Sequence, residues 1–196
     1  MKTNKLGIKY TGLPLHLTAY GQPIPWKMLF RRSSLKGWSF SPEFENLYYR
    51  ELPVWRKLYK PPFSLVGKTV LNVGAGCGET SKFYIEELGA KQVIAVEMEP
   101  VALKYLKENA QTHPIIVIGK PFSVDMLSIP HHFMEMDIEG YEGGLLDGDI
   151  LKNYHTPCVI EVHTGYLVDK FIANGFVGKN VFEHQRSVNV SIMHRW

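Results

Sequence analysis

The residues best suited to chemistry in this chain are mostly acidic, and they come in two tight groups. Asp137, Glu139 and Glu142 fall within MEMDIEGYEGGLL (134–146), and Glu161 and His163 fall within CVIEVHTGY (158–166). Residues two apart in an extended strand share a face. Asp137 and Glu139 therefore point one way, and Glu161 and His163 point one way. If both strands end at the same edge of a parallel sheet, the pairs meet in one cleft, where α/β proteins bind their ligands. A histidine of near-neutral pKa, oriented by a carboxylate, can take a proton from a reacting group. Three or four carboxylate oxygens and one imidazole could instead hold a divalent cation; the expectation is proton transfer with no resident metal. His131-His132, His113, His155 and His184 lack a spacing that suggests metal binding.

A third feature is VLNVGAGCGETS (70–81), in which an apolar run leads into Gly74, Gly76 and Gly78 and a helical pattern follows. Glycines there permit a tight turn and the close approach of a ligand to the backbone. Glu97, in IAVEMEP, closes the next apolar run 19 residues after Gly78. An acid in that place accepts hydrogen bonds from ribose hydroxyls. The spacing G-A-G-C-G departs from the G-x-G-x-x-G of dinucleotide binders.

The surrounding pattern supplies the elements that must position these groups. TVLNV (69–73), QVIAVE (92–97), IIVIG (115–119), HFMEMDI (132–138) and PCVIEVH (157–163) read as strands. SKFYIEELG (81–89), PVALKYLKENAQTH (100–113), EGGLLDGDILKNY (142–154) and YLVDKFIANG (166–175) read as helices between them. FVGKNVFEHQ (176–185) and SVNVSIMHRW (187–196) read as a terminal hairpin. Near-continuous apolar strands alternating with helices predict an α/β, Rossmann-like, doubly wound sheet of about seven strands. Upstream, KLGIKY, LHLTAY, WKMLFRR and GWSFS read as short strands. Residues 42–59 form a helix that Pro53 should interrupt.

Composition divides the chain. Residues 1–68 carry a charge of +9 and residues 69–196 carry −6, and the first stretch holds 12 of the 24 aromatics. With the Pro61-Pro62 pair as punctuation, the expected division is a basic, aromatic N-terminal extension (1–62) and a ligand-binding domain (63–196). Two cysteines, Cys77 and Cys158, are too few for a disulfide framework and fit a reducing compartment. No apolar run approaches the roughly 18–20 residues of a membrane span, and the N-terminus lacks the apolar core of a secretory signal. A cytoplasmic protein is the expectation.

The glycine loop, Glu97 and the terminal hairpin together resemble class I S-adenosylmethionine-dependent methyltransferases, over roughly residues 63–196. That resemblance implies an antiparallel last strand and S-adenosylmethionine as cofactor. Gly74, Gly76 and Gly78 would pass close to its methionine part, Glu97 would hold the ribose and Met98 would lie against the adenine. An acid after the third strand would reach the adenine amine, for which Asp125 is the candidate. EMDIEGYEGGLL and IEVH further resemble the FkbM family of methyltransferases, with Glu135 where that family shows lysine. This implies O-methylation of a hydroxyl on a small molecule, lipid or glycan. His163 would be the base, Glu161 or Asp137 its orienter, and Glu139 a substrate contact.

The segments KMLFRRSSLKGW (27–38) and YYRELPVWRKLYK (48–60) interleave cations with aromatic rings, the composition of a single-strand nucleic-acid platform. Arg31, Arg32, Lys36, Arg50, Arg56, Lys57 and Lys60 would meet phosphates or substrate. The alternatives are a lid whose rings pack on the sheet domain and an anionic membrane surface. The functional alternatives to O-methylation are an RNA methyltransferase that docks RNA on residues 27–60 and a non-catalytic cofactor-binding subunit.

Overall fold

The computed structural model describes residues 35–183 and 189–196, together with four two-residue strands nearer the N-terminus. Those four pair as two antiparallel ladders, Lys2–Thr3 with Lys9–Tyr10 and Thr18–Ala19 with Gln22–Pro23. WKMLFRR lies outside the described residues. GWSFS is not a strand. Ser39 donates its N–H to the Asn109 side chain at 2.6 Å rather than to a neighbouring strand, and Trp38 turns inward.

The central sheet has seven strands: β1 (Thr69–Val73), β2 (Gln92–Val96), β3 (Ile115–Ile118), β4 (Phe133–Met136), β5 (Cys158–Val162), β6 (Val177–Glu183) and β7 (Asn189–Arg195). Their order is β6-β7-β5-β4-β1-β2-β3. β1 to β5 are parallel, and β7 runs antiparallel between β5 and β6. The strand order reverses at β1, so the chain ends of β1 and β4 face one crevice, the usual ligand site of such sheets.

Alternation along the strands builds a core on each face. Val70, Val93, Ala95, Phe133 and Val159 face one side, and Leu71, Val73, Ile94, Met134, Met136 and Ile160 face the other. The first face is covered by α1 (Pro42–Leu58), by α2 (Glu79–Lys82), which continues as a π-helical turn over Phe83–Glu87, and by α3 (Pro100–Asn109). α4 (Ile150–Asn153) and α5 (Gly165–Ala173) cover the second.

Ser41 caps α1 by accepting the Phe44 N–H at 3.4 Å. Pro53 does not interrupt the helix, although an interior proline costs about 3 kcal/mol. Tyr48, Leu52, Trp55 and Tyr59 recur at helical spacing and are all buried against the sheet. At about 1.5–3 kcal/mol each, their burial outweighs the missing hydrogen bond. The helix expected over 142–154 is instead two short turns, a 3-10 turn at Glu142–Leu146 and α4. Gly148, at φ +58°, separates them.

Candidate functional site

A cavity of about 680 Å³ opens at the carboxyl ends of β1, β2 and β4. One wall is the glycine loop with Glu97 and Met98, another is Asp137 and Glu139 after β4, and a third is Phe44, Glu51, Trp55 and Tyr59 of α1. Its size suits a small organic ligand, since such pockets run from about 300 to 1,000 Å³.

The glycine loop is drawn tight by hydrogen bonds. Gly74 and Ala75 both donate to the carbonyl of Val96, at 2.9 and 3.0 Å. Gly74 has φ +81°, and a Cβ there would lie 1.6 Å from the carbonyl oxygen of Asp137. Only glycine lets the ends of β1 and β4 come so close. Gly76 donates its N–H to Glu97 Oε2 at 2.8 Å, and Glu97 Oε1 accepts from the N–H groups of Met98 and Glu99 at 2.7 Å each. Three of the roughly four acceptor positions of a carboxylate are thus taken by backbone. Gly78, at φ +104°, stands outside the cavity wall, and a Cβ there would lie 3.2 Å from Leu106 and 3.5 Å from Trp38.

Glu79, the first residue of α2, is a wall residue that the sequence reading did not single out. It is buried, and burial pushes its carboxyl up to about 8, against backbone N–H groups of the turn that pull the other way. An acid directly after the last glycine of the loop is the signal that could have marked it.

The two acidic groups meet, as their spacing implied. His163 Nδ1 lies 3.1 Å from Glu142 Oε1, and Nε2 lies 3.5 Å from Asp137, 3.6 Å from Glu139 and 3.6 Å from Glu161. The orienting hydrogen bond therefore comes from Glu142, which Gly140 N–H also holds at 2.9 Å. Asp137 and Glu161 face the other nitrogen, beyond hydrogen-bond range. The near-neutral imidazole expected from sequence is also corrected. Burial lowers the His163 pKa, but the Glu142 hydrogen bond and the charges of Asp137, Glu161 and Glu139 outweigh it and push it up to about 9. Burial pushes Asp137 well above the usual carboxylate range, Glu161 adds to this and His163 opposes it. Burial also raises Glu161, against the pull of a hydrogen bond from the Tyr59 hydroxyl. Glu135, on β4 two residues before Asp137, is buried in the cavity wall with no hydrogen-bond partner for either oxygen.

Asp125 is exposed and outside the cavity wall, though Ser123 and Val124 belong to it. A hydrogen bond from Ser123 holds its carboxyl below the usual range. Arg31 and Arg32 lie outside the described residues, as does His184. In the basic segment, Trp38, Tyr48, Tyr49, Trp55 and Tyr59 are buried on the sheet domain, so these rings are not an exposed surface for bases. Arg56 makes a two-pronged pair with Glu87, at 2.7 and 2.8 Å. Cys77 and Cys158 are buried with their thiols pushed up to about 12, which fits packing rather than reactivity. Among the described residues, no helix is long and apolar enough to cross a membrane.

No protein-family model and no curated protein matches the chain. Solved structures do. Fibrillarin of Aeropyrum pernix, with natively bound S-adenosyl-L-methionine, aligns at TM-score 0.55 and 13% identity over 76% of each chain. A methyltransferase of Pyrococcus furiosus aligns at TM-score 0.54 and 12% identity, over 86% of this chain and 95% of that one. Precorrin-6y C5,15-methyltransferase of Geobacter metallireducens aligns at TM-score 0.52 and 11% identity, over 82% and 96%. At such identities the likeness is one of fold: this chain has the Rossmann-like fold of these methyltransferases.

Proposed function

We propose that this protein transfers a methyl group from S-adenosylmethionine to a hydroxyl on a small molecule, lipid or glycan. The observation that carries the reading is one cavity bounded by a glycine loop with its acid on one side and by Asp137 and Glu139 on the other, with His163 3.5 Å from Asp137. The residues present fit the cofactor. A Cβ on Gly76 would stand 2.7 Å from the Glu79 carboxylate and 3.0 Å from Phe44, so glycine keeps that stretch of backbone open. Gly74, Ala75 and Gly76 would take the amino-acid part. Glu97 keeps about one acceptor position for a ribose hydroxyl. Met98, 62% exposed in the wall, would lie against the adenine. Glu51, Glu79 and Glu135 line the same space.

When bound, the cofactor supplies an electrophilic methyl with its leaving group already in place. The chain must hold the acceptor oxygen in line and receive its proton. Asp137, Glu161 and His163 share that task. Because His163 holds its proton up to about pH 9, the cluster takes the acceptor proton as a coupled unit, with Glu142 fixing the ring. The FkbM-like strings around Asp137 and His163 favour an oxygen acceptor. Cavity space left open beside the α1 side chains favours catalysis over a non-catalytic subunit. RNA docking through residues 27–60 rests on the +9 charge of residues 1–68, since the described rings of that segment are buried.

Calorimetric titration with S-adenosylmethionine and S-adenosylhomocysteine, with NAD as control, tests the reading. Binding of the two sulfur ligands alone is expected. Glu97→Ala should weaken it by about 1–3 kcal/mol, through loss of a charged acceptor and of the loop it pins. Unchanged affinity in that variant would remove Glu97 from the site. Labelled-methyl transfer to small-molecule and lipid extracts, against total RNA, then separates the acceptors.

A further inference from the structure

We propose that His163, Asp137 and Glu142 form a divalent-cation site at the acceptor end of the cavity, taking a first-row metal such as Mn2+ or Zn2+. One nitrogen of His163 and one oxygen each of Asp137 and Glu142 lie within 4.8 Å of one another. Glu142 Oε1 lies 3.1 Å from Nδ1, and the other acids face Nε2.

Nε2 then lies 3.5–3.6 Å from oxygens of Asp137, Glu139 and Glu161. These separations exceed the roughly 2.7–3.2 Å of a hydrogen bond. They are close to the spacing of neighbouring ligand atoms around one ion, roughly 3.0–3.5 Å for metal–ligand bonds of about 2.0–2.2 Å.

An independent observation points to a ligand. Glu142 is fully buried, and its Oε2 has no hydrogen-bond partner; Asp137 Oδ1 is also buried without one. A buried carboxylate oxygen left without a donor is costly. Among the described residues, no lysine or arginine pairs with Asp137, Glu139, Glu142 or Glu161. A cation between them would satisfy both oxygens at once. Mixed imidazole and carboxylate donors favour Mn2+ or Zn2+ over Mg2+ and Ca2+, which prefer oxygen alone.

Asp137 and Glu139 line the cavity, so the ion would reach the acceptor. The inference rests on the methyl-transfer reading for its chemistry. A cation held there would lower the pKa of the acceptor hydroxyl, whose proton would pass to Glu139 or Glu161. The oxygen would form its bond to the methyl carbon as the carbon–sulfur bond broke, with that electron pair staying on sulfur. The products are a methyl ether and a neutral thioether.

The test is titration of the whole protein with Mn2+, followed by the paramagnetic resonance signal of the free ion and by calorimetry. Mg2+ serves as comparison. One site per chain is expected, with affinity reduced about tenfold or more in both His163→Ala and Glu142→Gln. The second variant keeps the shape of the side chain and guards against a folding defect in the first. No saturable binding, equal binding in the variants, or Mg2+ binding as tight as Mn2+ would overturn the proposal. S-adenosylmethionine titration of the same samples with chelator reads the cofactor site separately. Cofactor binding without Mn2+ binding defeats only the metal site, and Mn2+ binding without cofactor binding defeats only the methyl-transfer reading.

Discussion

The two ends of the cavity treat their acids in opposite ways. At the glycine loop, Glu97 is finished by the protein itself, with three backbone N–H groups on one carboxylate. At the β4–β5 edge, Asp137, Glu139 and Glu161 crowd one imidazole nitrogen, and buried oxygens of Glu135, Asp137 and Glu142 have no donor. One end is a completed cradle whose shape is fixed by backbone. The other is an electrostatic conflict that only an arriving group can resolve. On the proposed reading, a prebuilt cradle suits a cofactor that is the same each time, and an edge that handles protons keeps groups that gain and lose charge.

The largest expected effect comes from driving the two ends apart. Gly74→Ala places a methyl against the Asp137 carbonyl, where the gap is 1.6 Å. A loss of about 3–5 kcal/mol in urea unfolding is expected. A loss below about 1 kcal/mol would show that the ends of β1 and β4 separate freely.

Glu79 sharpens the comparison through pH. Below its ordinary value of 4.5, folded and unfolded chains both hold the proton, and Glu79 contributes nothing to pH dependence. Between 4.5 and about 8 the unfolded chain has released it and the folded chain has not, so stability falls as pH rises. The slope is up to about 1.4 kcal/mol per pH unit, and it flattens above the folded value. Glu79→Gln should remove this slope. Parallel pH profiles for the two proteins would mean that Glu79 is ionised in the fold.

A smaller effect is expected from Tyr59→Phe, which removes the donor to Glu161 and leaves that acid with its neighbours of like charge. The cost should be about 1–2 kcal/mol, read as a lower melting temperature. An unchanged melting temperature would show that Glu161 finds another partner and that the edge is less frustrated than it looks.

Much of this was legible in the sequence. The fold followed from apolar strand runs alternating with helices. The two-residue period carried Asp137, Glu161 and His163 to one side of the sheet edge, whereas Glu139 joins them from a left-handed turn beyond β4, at φ +53°, that the period does not describe. What escaped was set by geometry that spacing does not encode. Glu142 reaches the ring because Gly140, at φ +104°, turns the chain back, and its N–H holds the carboxylate. Glu51 and Tyr59 enter the cavity because α1 packs across the sheet, a long-range choice made by its aromatic face. Gly78 matched the glycine pattern yet stands outside the cavity wall, since position within a loop does not say which way the backbone faces.

The docking of α1 also bears on how the chain acquires its shape. The His194 ring, on β7, bonds the carbonyl of Leu58 at 3.1 Å across 136 residues, and Ile192 shares the core of Tyr48 and Trp55. Among the first described elements in the chain, this helix has partners on the last described strand. Contacts of such sequence separation slow folding and leave apolar surface open to association. The chain is thus expected to fold more slowly than its local helix contacts alone would allow.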